Sequence, residues 1–281
     1  MVGARSRTTG AGVRHASPSK RWLLRVGVAL SVAALGALTF PIATPPPRVR
    51  PFLLYYGYVP PGGGGRAASA LAARFHGYPL VVFGWALRRA RLARRLRADL
   101  PRTRLYGYVD TGHVNARAVR EELRALGHLG YAGALLDDVG IGLSASPTAL
   151  QAIVDEAYAD HLSVLLNAWS PQVVAALRLR PSATALLCEN WVFSRGAWHV
   201  SRPAAVYRSL YALERRGVAV FMIVTAASAP VAPRTVSAGI RQTVYEERGQ
   251  FLALSGPYYS AQSGAIVPAA ALRRLLDAIA Y

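Results

Sequence analysis

The chain has 281 residues and a mass of 30.1 kDa, enough for one large core and too few for a multi-domain machine. With 53% hydrophobic and 17% charged residues it is too apolar for a disordered chain, and it lacks the repeated long apolar runs of a polytopic membrane protein. A formal charge of +19 suggests a polyanionic partner such as nucleic acid, but the distribution of the charge argues against that reading.

Residues 1–25 carry Arg5, Arg7, Arg14, Lys20, Arg21 and Arg25 without one acid, and the apolar run Val26 to Ala43 follows, broken only by Ser31, Thr39 and Pro41. A basic flank before such a run predicts a signal peptide or an uncleaved signal-anchor helix over 26–43, with residues 1–25 cytoplasmic. The chain is then exported, membrane-anchored or secreted, with its domain outside the cytoplasmic membrane and away from nucleic acid. Pro45, Pro46, Pro47 and Pro51 stiffen a linker over 44–51. The 25 remaining basic residues and all 14 acids, a balance of +11, fall after residue 50. Cys188 is the single cysteine, so no intramolecular disulfide forms and stability rests on core burial.

From residue 52 a short apolar run, a polar or Gly-rich turn and an amphipathic stretch recur. The strand candidates are Phe52 to Val59, Leu80 to Trp85, Arg104 to Asp110, Ala132 to Asp138, Ser163 to Asn167, Ala185 to Glu189, Val218 to Thr225 and Phe251 to Gly256. Ser146-Pro147 and Ser170-Pro171 read as an N-cap followed by a first-turn proline, Pro203 and Pro268 fit that first-turn place, and Gly217 and Gly249 stop helices. Eight such units over 52–281 predict a single-domain (β/α)8 barrel. Gly62 to Gly65 lack the G-x-G-x-x-G spacing of a doubly wound dinucleotide fold.

Chemistry in such a barrel sits at the C-terminal ends of the strands. Four candidate strands end in reactive side chains: Tyr108, Asp110 and His113; Asp137 and Asp138; Asn167 and Trp169; Glu189, Asn190 and Trp191. An acid directly after an apolar strand is costly to leave unpaired, so acids gathered at one rim argue for use. Glu189 with Asp137 or Asp138 predicts the carboxyl pair of a glycoside hydrolase, one group the general acid and the other the nucleophile or base. Neighbouring aspartates on a strand point to opposite sides, so the second caps a helix or meets an arginine. Tyr56, Tyr58, Tyr108, Trp169, Trp191 and Tyr258 supply aromatic faces for sugar rings, with Asp110, His113, Asn167 and Asn190 as polar contacts. No metal-ligand spacing and no cofactor motif stands out, since Asp110 and His113 alone are close in sequence. Cys188 reads as a buried strand residue. Arg88, Arg89, Arg91, Arg94, Arg95 and Arg97 interleave with Leu87, Leu92 and Leu96 as the wet face of a helix, which offers the alternative of a non-catalytic barrel binding an anionic cell-surface polymer.

Three stretches resemble the spherulation-specific family 4 (spherulin-4-like) proteins and the related polygalactosaminidase-type glycoside hydrolases: Tyr55-Tyr56-Gly57-Tyr58, the segment from Leu105 to Gly112, and Gly133 to Asp138. The resemblance implies a (β/α)8 hydrolase over residues 52–281, acting on an extracellular or cell-wall α-1,4-linked galactosamine or N-acetylgalactosamine polymer. It implies an acidic pair at Asp137 and Asp138 and a later glutamate at Glu189. The sequence departs from that family's pattern in having Asp138 where the family has Glu, and Ala132 where it has Asp.

Overall fold

A computed structural model of the chain describes residues 49–57, 59, 65–168, 170–194, 197–199, 204–226, 240, 241, 244, 248–255 and 268–279. The basic stretch 1–25, the apolar run 26–43 and linker residues 44–48 lie outside them; no helix among the described residues is long and apolar enough to cross a membrane. The strands in chain order are β1 (Arg50–Pro51), β2 (Leu53–Tyr55), β3 (Leu80–Phe83), β4 (Arg104–Asp110), β5 (Gly133–Val139), β6 (Ser163–Ala168), β7 (Thr184–Ser194), β8 (Ala197–His199), β9 (Ala219–Ala226) and β10 (Phe251–Ser255). The helices are α1 (Gly65–Phe75), α2 (Ala90–Asp99), α3 (Ala116–His128), α4 (Pro147–Ala159), α5 (Pro171–Ala175), α6 (Ala204–Arg215) and α7 (Ala269–Ile279).

All neighbours pair in parallel from β2 through β3, β4, β5, β6, β7 and β9 to β10, except that the short β8 folds back antiparallel on the end of β7. The ring closes through the opening run: β2 pairs with β3 while β1 pairs with β10. Arg50 and Phe52 donate their N–H groups to the carbonyls of Gln250 and Leu252 at 2.9 and 3.1 Å. Pro51 therefore falls on the alternate position, where no donor toward β10 is needed, and the strand starts two residues before the sequence expectation. With β1 and β2 as halves of one strand, the described strands and helices form the parallel barrel with outer helices that the periodicity predicted.

The period of two along each strand divides the core into two shells. Phe52, Leu54, Leu80, Val82, Leu135, Leu165, Leu187, Phe221 and Ile223 fill the barrel, whereas Leu53, Tyr55, Val81, Phe83, Leu105, Leu136 and Leu166 face the helices. Both faces are buried, so the strands read as continuous apolar runs. Inside, Phe221 stacks on Phe251 at 4.1 Å and meets Phe52 edge-on at 5.0 Å.

On α3, Asn115 caps the first turn by accepting the Ala118 N–H at 3.0 Å, and Val119, Leu123 and Leu126 form the buried stripe. Leu126 drops into a notch on β4, where a Cβ on Gly107 would lie 2.1 Å from its Cδ2. Its side chain is fully buried, so Leu126→Ala is expected to cost about 2–5 kcal/mol through lost burial and a residual cavity, read as a lower urea midpoint with unchanged slope. Ser146 and Pro147 open α4 as predicted, the serine accepting the Ala149 N–H at 3.4 Å. On α2, Leu92, Ala93 and Leu96 are buried while Arg91, Arg94, Arg95 and Arg97 face solvent.

Candidate active site

Asp110 on β4 and Asp137 on β5 are register partners at the C-terminal ends of adjacent strands. Tyr108, two residues before Asp110, shares its side of β4 and donates its hydroxyl to the Asp137 carboxylate. From β6, Asn167 donates its Nδ2 to Asp137 Oδ1 at 2.6 Å. Three neighbouring strands thus converge on one half-buried carboxyl group. Burial pushes its pKa up, and the nearby Asp138 adds to this; the hydrogen bonds from Tyr108, Asn167 and the Asp138 backbone pull the other way. Tyr108 is pushed far up, by burial first and then by Asp137, Asp110 and Asp138.

Asp138 leaves the strand pattern. The pairing of β5 with β6 slips between Leu136 and Val139, and Asp138 takes the left-handed conformation with φ 54°. Its Oδ2 lies 3.2 Å from His113 Nδ1, and Asp110 Oδ2 lies 3.4 Å from the same nitrogen. Asp110 Oδ1 accepts the N–H groups of Gly112 and His113, both at 2.9 Å, which fixes the carboxylate and leaves Oδ2 toward the imidazole. The predicted partner for the second aspartate was a helix or an arginine; instead it faces a histidine. One ligand atom from each of Asp110, His113 and Asp138 lies within 4.8 Å of the others, a set able to hold a cation.

The loops after β4 and β5 are stitched together. Thr111, fully buried, donates both its N–H and its Oγ1 to the Asp137 carbonyl, at 3.1 and 2.6 Å. Ser144, also fully buried, accepts the Gly140 N–H at 3.0 Å and has the Asp138 and Ile141 carbonyls at 3.0 and 2.9 Å for its hydroxyl proton. A Cβ on Gly112 would lie 2.7 Å from the Asp138 Cβ, and one on Gly142 would lie 1.7 Å from the Gly112 carbonyl oxygen. Sequence reasoning did not single out Thr111, Gly112, Gly142 and Ser144 as site residues; Thr111 and Gly112 lie within the Leu105 to Gly112 segment, and Gly140 and Gly142 follow directly after a strand end.

Of the predicted site residues, Tyr108, Asp110, His113, Asp137, Asp138 and Asn167 come together. Tyr56 joins them by an edge-on contact with Tyr108 at 5.5 Å, and its carbonyl accepts the Trp85 Nε1–H at 3.0 Å. Tyr58, Trp169 and Tyr258 lie outside the described residues, and so do the side chains of Glu189, Asn190 and Trp191 on β7. Cys188 is buried, as the sequence predicted.

No protein-family model and no curated protein matches the chain. Among solved structures it is similar to YagE from E. coli K12, a prophage protein of the dihydrodipicolinic acid synthase family in complex with pyruvate: 15% identity over 82% of this chain and 76% of that one, TM-score 0.54. It is also similar to KGPDC from Streptococcus mutans, in complex with D-R5P, at 13% identity over 82% and 97% of the two chains and TM-score 0.50. A 3-keto-L-gulonate-6-phosphate decarboxylase from Vibrio cholerae gives 14% identity over 82% and 99%, TM-score 0.49. At these identities the likeness is one of fold.

The comparison corrects the expected enzyme class. The glycoside hydrolase read from Asp137, Asp138 and Glu189 is not what these barrels are named as: one belongs to the dihydrodipicolinic acid synthase family and another is KGPDC. One frame carries many reactions, and carboxylates at its rim do not by themselves select hydrolysis of a glycosidic bond.

Proposed function

We propose that the chain is an enzyme transferring a proton at the carbon next to a carbonyl group of a small hydroxylated substrate, with Asp137 as the acid–base group. The observation that carries this is the grip on Asp137: a carboxyl at a strand end, fixed from β4 by Tyr108 and from β6 by Asn167. General acid–base work needs a carboxyl held in one orientation beside the reacting atom, and the C-terminal rim of a parallel barrel is where that atom binds. Tyr108, Asn167 and Asp110 offer the donors and acceptors that a hydroxylated molecule uses. One similar barrel supports the reading by what its structure is named for, a complex with pyruvate, a 2-keto acid whose methyl protons lie next to a carbonyl. Lys20 is the single lysine, so residues 21–281 cannot activate a carbonyl as a lysine imine, and the proton transfer falls to carboxyl groups.

Hydrogen exchange with solvent reports this step whatever the net reaction. The purified protein is incubated in D2O with ketoses, aldoses and 2-keto acids, and loss of the Cα–H signal is followed by proton NMR. Exchange above the buffer rate is expected for at least one compound; its absence across the panel rejects the reading.

A second reading, an anionic-polymer binder, is favoured by α2, where Asp99 neutralises Arg95 at 3.1 Å and Arg91, Arg94 and Arg97 remain exposed. It predicts salt-sensitive retention on a heparin matrix that Arg91→Gln/Arg94→Gln shortens; retention unaltered by that change counts against it.

A further inference from the structure

We propose that Asp110, His113 and Asp138 form a binding site for one divalent transition-metal ion at the mouth of the barrel. Oxygen and nitrogen ligands sit about 2.0–2.2 Å from such an ion. Two ligand atoms 3.2 to 3.4 Å apart, as His113 Nδ1 is from Asp138 Oδ2 and Asp110 Oδ2, would therefore subtend about 100° at it, which suits tetrahedral or octahedral coordination. The imidazole sets this group apart from a solvated acidic patch, because a neutral imidazole nitrogen is a good ligand for Mn2+ to Zn2+ while carboxylates supply the charge.

The charge distribution makes a second argument. In a chain with 33 basic residues, no arginine pairs with Asp110, Asp137 or Asp138 among the described residues. Three carboxyl groups share one rim, and among the described residues the one side chain within ion-pair distance of both Asp110 and Asp138 is a histidine that is 68% exposed. A doubly charged ion offsets that concentration better than one imidazole does. The surroundings also hold the ligands in place: two backbone N–H groups occupy Asp110 Oδ1, and Gly112 has no Cβ to keep Asp138 away. Because His113 is exposed, coordination positions stay open to water or substrate, the arrangement of a catalytic rather than a purely structural ion.

The inference deepens the proton-transfer reading: an ion beside Asp137 would polarise the substrate carbonyl as a Lewis acid. It is tested without substrate, so the two can fail separately. The EDTA-treated full-length protein is titrated with MnCl2 and with ZnCl2, followed by calorimetry and, for Mn2+, by loss of the free-ion EPR signal. One ion per chain is expected. His113→Ala and Asp138→Asn should each weaken binding at least about 10-fold, with circular dichroism unchanged. His113 is exposed, so that variant folds even if Asp138→Asn does not. Absence of saturable binding of both metals by the wild type, or binding that His113→Ala retains at full strength, overturns the site. Binding of one ion without isotope exchange upholds the site and rejects only the proton-transfer reading.

Discussion

Asp137→Asn is expected to lower the rate of isotope exchange about 10²–10⁴-fold, the usual share of a positioned acid–base group, while the thermal midpoint should stay level or rise. The asparagine keeps the shape and can still accept from Asn167 through its oxygen, and it can donate to the Tyr108 hydroxyl in place of accepting from it. What it removes is the ionisable proton. Burial raises the Asp137 pKa, so the wild-type fold favours the protonated form. Its contribution to stability is fully present below the ordinary carboxyl pKa of 3.8 and is lost as pH rises through the higher folded value. The variant has no such loss, and its stability relative to wild type should therefore grow with pH across that interval. A variant that exchanges at the wild-type rate rejects Asp137 as the acid–base group; one that loses exchange together with its fold points to a structural role instead.

Gly142→Ala is expected to destabilise the protein by about 2–4 kcal/mol, from a left-handed backbone combined with overpacking. Gly142 has φ 53°, and its added methyl would fall 1.7 Å from the Gly112 carbonyl oxygen, a backbone atom that no rotamer change can move. Relief requires the β4 and β5 loops to separate, which carries Gly112 and His113 away from Asp138. Metal affinity and stability should fall together. Gly130→Ala is the control: its φ of 72° is similarly left-handed, but nothing lies within 4 Å of the added carbon, so only the conformational cost of about 1 kcal/mol remains. Equal losses in urea titrations of the two variants would show that the loop contact contributes nothing.

The barrel was legible because its strands are buried on both faces and each is a short run bounded by polar turns, so apolar length alone marks them. The cluster of rim residues was legible for a related reason: in so basic a chain, an acid directly behind Leu136 or Val109 stands out. The conformation of Asp138 was not legible. Alternation along β5 assigns it the side opposite Asp137, whereas the slip in pairing with β6 and the space left by Gly112 turn it onto His113. Both causes reside on neighbouring strands, and no local pattern around residue 138 encodes them. Ser144 was missed for the same reason, since its value depends on where the Asp138 and Ile141 carbonyls end up. The reaction class was read from rim carboxylates and three short resemblances. Those features belong to strand ends of this frame, and the frame serves many chemistries.

The closure of the ring through Arg50–Tyr55 also bears on how the molecule is made. Arg50 and Pro51 find their partners at Phe251 and Leu252, about 200 residues later, whereas every other parallel pair joins strands close in sequence. Joining ends so far apart costs the most loop entropy of any contact in the barrel and depends on a strand synthesised late. On the ribosome, β2 to β9 can assemble progressively while the inner edges of β2 and β9 stay open, and Phe52 has no Leu252 carbonyl to meet until β10 emerges. Refolding should accordingly end in a slow step that buries Phe52 against Phe221, and a permuted chain that joins the old ends and opens elsewhere should move that step to a different pair of strands.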